Sequence, residues 1–211
     1  MLLPTGAALV LASGNPHKVR ELSGLLAPLH VRLASLAEFP AAVSVEEDGS
    51  TPMENARKKA SGYARQLQQW VLADDTALHV DALQGAPGVR SARYAGPHAT
   101  AAENRAKLLA DVAHVPDDRR AARFVCHLAL ANPAGEIVAE AAGECRGRIR
   151  RTPAAGSYGF GYDVLFEVSG RDRTLAELTL EETALVGHRG RAVRALLKRL
   201  CGGPPRGGPE S

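Results

Sequence analysis

Several short stretches of this sequence carry residue types and spacings that could do chemistry. Ser13-Gly14-Asn15-Pro16-His17-Lys18 stands where a short apolar run, Ala7 to Ala12, hands over to a helical pattern. A strand running into a helix N-terminus presents unpaired N–H groups and the positive end of the helix dipole, which suits an anion such as a phosphate. Lys18 adds a point charge one turn into that helix; a plain tight turn with a solvated lysine is the alternative. The turn is neither GxGxxG nor GxxxxGK[ST], so dinucleotide and P-loop chemistry are not indicated. Asp74-Asp75-Thr76 follows a second apolar run, at the kind of strand end where open α/β sheets place functional side chains. Adjacent side chains alternate along a strand, so one of the two carboxylates is expected to face a cleft. Together with Glu46 and Glu47, which close the run holding Val43 and Val45, they offer the hard oxygen ligands that magnesium favours. Taken alone, an Asp-Asp pair at a strand end is more often a turn or cap than a metal site; the two acidic pairs together make the readings about even. In Phe160-Gly161-Tyr162-Asp163, glycine lets backbone approach a ligand, and an aromatic ring could stack on a planar base or simply pin the loop. Aromatic residues make up only 4% of the chain, which makes three of them between Tyr158 and Tyr162 a concentration. His188-Arg189 offers donors for a carbonyl oxygen, or is an ordinary helix start.

Elements that could position these residues can be read from periodicity and punctuation. Ala7–Ala12 reads as a buried strand, and Asn15 with Pro16 as the cap and first residue of a helix carrying Val19, Leu22, Leu25 and Leu26. Thr51-Pro52-Met53-Glu54 and Thr100-Ala101-Ala102-Glu103 are capping boxes opening two further helices, the first reaching about Gln69. Trp70–Ala73 and Ala77–Ala82 read as two short strands on either side of the aspartates. Arg123–Ala131 and Glu136–Ile149 read as long strands joined by an Asn132-Pro133-Ala134-Gly135 turn, with a short strand at Val164–Glu167. A last helix starts near Gly190, and Pro204–Ser211 is too rich in Pro and Gly to pack. The pattern is an α/β domain with a mixed sheet.

Composition narrows the function. The 211 residues are 45% hydrophobic and 23% charged, the balance of a globular domain large enough to fold without staples. Net charge is +3, without concentrated basic blocks, so duplex nucleic acid is not the expected partner. No apolar run reaches 18 residues, so no membrane partner is expected either. Cys126, Cys145 and Cys201 are far apart, which favours a reducing cytoplasm. Only five of the 26 basic residues are lysine, so Lys18 and Lys59 carry more information than they otherwise would.

In this order the segments resemble the inosine-triphosphate pyrophosphatase family. The resemblance is carried by Ser13 to Leu22, Glu46-Glu47-Asp48-Gly49, Glu54-Asn55-Ala56 with Lys59-Ala60, and Ala73 to Leu78. It continues through Gly85-Ala86-Pro87-Gly88, Ser91 to Gly96, Gly159 to Asp163, Ala176-Glu177-Leu178 and His188-Arg189-Gly190. It implies a two-lobed α/β fold with a long mixed sheet flanked by helices and a nucleotide cleft between the lobes. Residues 1–201 would be a single catalytic domain, with 202–211 a disordered tail. It further implies a homodimer, Mg²⁺, and hydrolysis of non-canonical purine triphosphates (ITP, dITP, XTP) to monophosphate and pyrophosphate. By position, Asp75 would be the proton acceptor and a metal ligand, and Glu46 the other ligand. Ser13, Gly14, Asn15, Pro16, His17 and Lys18 would hold the triphosphate, with Lys59 nearby and Thr76 at the substrate. Phe160, Gly161, Tyr162, Asp163, His188 and Arg189 would hold the base. The sequence departs from the family at Thr76-Ala77, where Ser-Gly is usual, and at Val164, where proline is usual. At Thr183 a substrate-binding lysine is usual, and Arg191 is a candidate substitute. The readings that compete are a septum-formation-type pyrophosphatase of other base preference and a non-catalytic nucleotide-binding module.

Overall fold

The computed structural model describes residues 7–201 apart from Ser157; the tail expected over 202–211 lies outside the described residues. β1 (Ala8–Leu11) ends at the Ser13–Asn15 turn, and α1 (Pro16–Leu26) begins. Asn15 caps it: its Oδ1 accepts from the N–H of His17 at 2.9 Å and of Lys18 at 3.4 Å, with Pro16 at the first position where no N–H is needed. β2 (Arg32–Ser35) pairs parallel to β1 and has no counterpart in the sequence reading. α2 (Pro52–Leu67) opens on Thr51, whose Oγ1 accepts from Glu54 N–H. The Glu54 carboxylate binds Ser50 N–H and Oγ rather than Thr51, so only half of the expected capping box forms.

Where two short strands are expected around the aspartates, β3 (Trp70–Val80) is one strand of eleven residues. Its carboxylates are taken up by distant cations instead of competing for the backbone, so the ladder to β5 (Ala121–Ala131) runs unbroken from Val71↔Ala131 to Val80↔Ala122. β4 (Pro87–Gly88) pairs with the end of β3, and α3 (Ala101–Asp111) follows a complete Thr100/Glu103 capping box. β5 turns through Asn132–Gly135 into β6 (Ile137–Ile149), which pairs with β7 (Phe166–Val168). The chain continues through α4 (Leu180–Val186), not expected from sequence, into α5 (His188–Cys201), which starts two residues ahead of Gly190.

The sheet order is β2-β1-β3-β5-β6-β7, parallel across β2, β1 and β3 and antiparallel beyond. β3 and β5 run through two lobes. One apolar core joins Leu72, Leu128 and Leu130 to Leu22 and Leu26 of α1 and Val193 and Leu196 of α5. A third group packs Ala56, Ala60 and Ala64 of α2 on the opposite face, against Val71, Ala73 and Ala129. The second lobe gathers Leu78, Val80 and Phe124 with Leu108 of α3 and Phe166 of β7. This is the two-lobed mixed α/β fold implied by the resemblance. Between the lobes, β1 leaves β3 at Leu72 and β4 joins it only at Leu78, so Ala73–Ala77 have no strand along that edge. The gap is the floor of a cleft, as expected where the strand order of an open sheet leaves an edge uncovered.

Close approach of α5 to β6 depends on Gly143, where a Cβ would lie 2.3 Å from both His188 O and Ala192 N. Gly143→Ala should cost about 1–3 kcal/mol in urea unfolding, because α5 must be pushed off the sheet. Gly24→Ala, inside α1 with nothing within 4 Å of its Cβ, should instead stabilise by about 0.5–1 kcal/mol.

Candidate active site

The cleft has a volume of about 630 Å³, within the roughly 300–1,000 Å³ range of small-molecule sites. Its centre is Asp74, 2% exposed in mid-strand. Lys18 Nζ of α1 lies 2.8 Å from Asp74 Oδ2, and Arg189 Nε of α5 lies 3.6 Å from the same atom. Thr76, two residues along on the same face, donates its hydroxyl to that oxygen at 3.3 Å. Arg189, itself 3% exposed, is held by Glu21 Oε2 at 2.6 Å, which ties α5 back to α1. Burial works against charge on Asp74, but Lys18, Arg189 and Lys59 overcome it and hold the carboxyl well below the usual range.

Asp75 points to the other face, toward α2. Lys59 Nζ sits among three acceptors: Asp74 O at 2.8 Å, Glu47 Oε2 at 2.9 Å and Asp75 Oδ1 at 3.4 Å. Burial pushes the Asp75 carboxyl up, against the pull of Lys59 and Lys18. Burial opposes the Lys59 charge too, and there Asp75, Asp74 and Glu47 prevail and raise it. Both aspartates line the cleft, although alternation predicts one, because the uncovered edge of β3 exposes both of its faces.

At the other end Phe160 lies beside two cleft groups. Its ring stacks on His17, centroids 5.6 Å apart and planes 22° apart, and the Arg189 guanidinium lies over it at 5.0 Å. Arg105 of α3 donates to Gly161 O at 3.0 Å and anchors the loop, whose Gly161 has φ of 62°. The buried Tyr162 donates its hydroxyl to Ser91 O at 2.9 Å and forms wall rather than a free stacking plate. Asp163 Oδ2 accepts from Phe160 N–H at 2.7 Å, and burial pushes its carboxyl up from the ordinary 3.8 to about 6. His188 stacks on Phe124 with centroids 4.8 Å apart, and both its ring nitrogens are buried without a partner. Burial, reinforced by the charge of Arg189, lowers its pKa far enough to keep the imidazole neutral.

Thus Ser13, Gly14, Asn15, His17, Lys18, Lys59, Asp75, Thr76, Phe160, Gly161, Tyr162, Asp163, His188 and Arg189 come together in one cleft. Four positions do not join them. Pro16 starts α1 without lining the cleft. Glu46 lines a separate shallow groove with Asp48, Arg57 and Lys58, whereas Glu47 enters the cleft, drawn by Lys59. Thr183 lies on α4 and uses its carbonyl to accept from Gly187 N–H at 2.7 Å. Arg191 turns away to Glu144 O at 2.9 Å, so it does not replace a lysine at Thr183. Sequence reasoning assigned no role to Glu21, although its place one turn after Lys18 on the same helix was a usable signal.

A model described as the Ham1 family matches residues 9–199. A dITP/XTP pyrophosphatase of Rhodopirellula baltica is 46% identical over 192 residues, 91% of this chain and 92% of its own length. One from Geobacter sulfurreducens is 49% identical over 194 residues, 92% of this chain and 96% of its own. Among solved structures, a HAM1 protein from Coxiella burnetii superposes with a TM-score of 0.82 at 39% identity, over 93% of this chain and 100% of that one. The nucleoside-triphosphatase / dITP/XTP pyrophosphatase of Mycobacterium abscessus gives 0.71 at 46% identity, over 90% and 98%.

Removing Asp74 strands buried cations, so Asp74→Ala should destabilise the fold by about 3–5 kcal/mol in denaturant unfolding. Asp163 gives a pH signature. Its folded value, about 6, lies above the unfolded 3.8, so its contribution to stability is complete below about pH 4 and is lost as pH rises through 6. Asp163→Asn keeps an acceptor for Phe160 and removes that loss. Its unfolding free energy relative to wild type should therefore rise by about 1–3 kcal/mol between pH 4 and 7.

Proposed function

The chain belongs to the Ham1 family, and from this premise and the geometry of the cleft we propose that it hydrolyses non-canonical purine nucleoside triphosphates to monophosphate and pyrophosphate. The observation that carries this reading is the pairing, in one cavity, of a cationic end suited to phosphates with a buried aromatic end, crossed by the Arg189 guanidinium, suited to a base. At the first end the positive end of the α1 dipole and Lys18 face the cavity, the His17 and Lys18 N–H groups being taken by Asn15 Oδ1, and Lys59 lies beside Asp75. At the second, Phe160 and neutral His188 stand ready.

Phosphoanhydride hydrolysis needs positioning and charge stabilisation more than covalent help. In this reading Lys18 with Ser13, Gly14 and Asn15 holds the phosphate chain, and Asp75 takes the proton of the water whose oxygen bonds to the α-phosphorus. The bond between the α-phosphorus and the bridging oxygen breaks, and pyrophosphate leaves. Lys59 fixes the Asp75 carboxylate through Oδ1. The donor set fits Mg²⁺, with Glu47 and Asp75 as ligands in place of the expected Glu46. Both are hard oxygen donors brought together on the Lys59 ammonium, and Mg²⁺ takes one or two such carboxylates while keeping water and phosphate oxygens. When bound, the ion neutralises charge on the phosphates.

A 6-keto purine presents an acceptor where adenine presents an amino donor. The Arg189 guanidinium, which only donates, favours the former, whereas neutral His188 offers one donor and one acceptor, and a base stacking on Phe160 takes the place His17 holds in the free chain. A cytoplasmic homodimer completes the reading, and no helix among the described residues is long and apolar enough to cross a membrane.

The test is pyrophosphate release from inosine, deoxyinosine, xanthosine, guanosine and adenosine triphosphates. Turnover of the first three with Mg²⁺, abolished by chelation and restored by the ion, is expected, with adenosine triphosphate slower by about 10² or more. Asp75→Asn should lower kcat by about 10² to 10⁴, and Lys18→Ala should raise KM. Binding without turnover of any of these nucleotides would sink the proposal.

A further inference from the structure

Outside the cleft, the end of β6 and the turn before β5 enclose a groove of about 280 Å³, none of whose walls the cleft shares. Arg120, Arg148, Arg150 and Arg151 line it, with Asp117 and Glu167 as its only carboxylates among the described residues. Glu167 pairs with Arg148 at 2.7 Å and Asp117 with Arg151 at 2.7 Å. Arg150 is left with long ion pairs, 3.8 Å to Glu167 and 3.5 Å to Glu177.

Arg120 is the unusual member, at 2% exposed. Its Nε donates to Val115 O at 3.0 Å and its Nη2 to Val112 O at 2.6 Å, while Nη1 is buried without a partner. Asp117 lies 3.6 Å from Nε, beyond a hydrogen bond. Burial and the neighbouring Arg151 both work against the Arg120 charge. A clamp on the carbonyls after α3 would account for Nε and Nη2. It does not account for a buried N–H left without an acceptor; of the three guanidinium groups around it, Arg148 is held by Glu167 and Arg151 also donates to Ala113 O and Val115 O at 3.5 Å, which leaves Arg150 the least partnered.

We propose that this groove is a second anion site, taking a phosphate-type oxyanion, inorganic phosphate or pyrophosphate, between Arg120 Nη1 and the guanidinium groups of Arg150 and Arg151. Planar guanidinium forks match phosphate oxygens two at a time, which suits an all-arginine wall. The volume lies just under the range of sites for drug-sized ligands and holds an inorganic anion with its waters rather than a nucleotide. Asp118 and Asp172 line the adjoining cavity, which places the anion at the Arg150 end.

Calorimetric titration of the full chain with inorganic pyrophosphate, and separately with inorganic phosphate, tests this. The Arg150 and Arg151 side chains are 36% and 54% exposed, so Arg150→Ala/Arg151→Ala leaves the core intact. The double variant should bind one equivalent fewer than wild type, or bind it about tenfold or more weakly. Lys18→Ala, altered in the cleft alone, should retain that equivalent, and Arg120→Gln should lose it. Loss of that equivalent in the double variant, for pyrophosphate, for phosphate or for both, with Lys18→Ala retaining it, supports the site and identifies its occupant. Unchanged stoichiometry and affinity in the double variant for both anions overturns the proposal, as does a Lys18→Ala chain that binds neither.

Discussion

A carboxylate buried in the middle of a strand governs this architecture. Charge on Asp74 is tolerable only with cations at hydrogen-bond range, since an ion taken from water without them costs several kcal/mol. Lys18 comes from α1 and Arg189 from α5, and Glu21 closes the circuit by binding Arg189 back to α1. The helices that must be there to neutralise Asp74 are the ones whose termini wall the cleft.

The same strand separates two carboxylates that are adjacent in sequence. Asp74 faces α1 and α5 and is kept ionised; Asp75 faces α2 and is raised by burial. Opposite environments for two identical groups are how a protein gives them different tasks. The uncovered edge of β3 makes this possible, because a ligand lying along Ala73–Ala77 can meet side chains of both faces at once.

What the sequence made legible follows from how local each cause is. The caps Asn15, Thr51 and Thr100 act within a turn and mark their helices correctly. The break expected at Asp74-Asp75 fails because the cations that keep these residues in a strand arrive from α1, α2 and α5, and no local rule contains them. Phe160 and His188-Arg189 were recognisable by type, while the stacking of His17 on Phe160 depends on two segments remote in sequence. The choice of Glu47 over Glu46 is similarly a tertiary effect, set by the position of Lys59. β2 and α4 are short, and each depends on docking against its neighbours more than on its own pattern.

The order in which the cleft is assembled also has a consequence for synthesis. A ribosome delivers β1, α1 and the long strands before α5, so Asp74 emerges with Lys18 available but without Arg189, and Glu21 emerges without its guanidinium partner. Until the last helix docks through Gly143, the sheet carries a carboxylate short of counter-charge and an apolar face without its cover. Nascent chains paused before His188 are therefore the species most exposed to proteases and chaperones. Because the helix that completes the charge circuit also brings His188 and Arg189 to the cleft, a chain cannot complete the cleft before it acquires its stability.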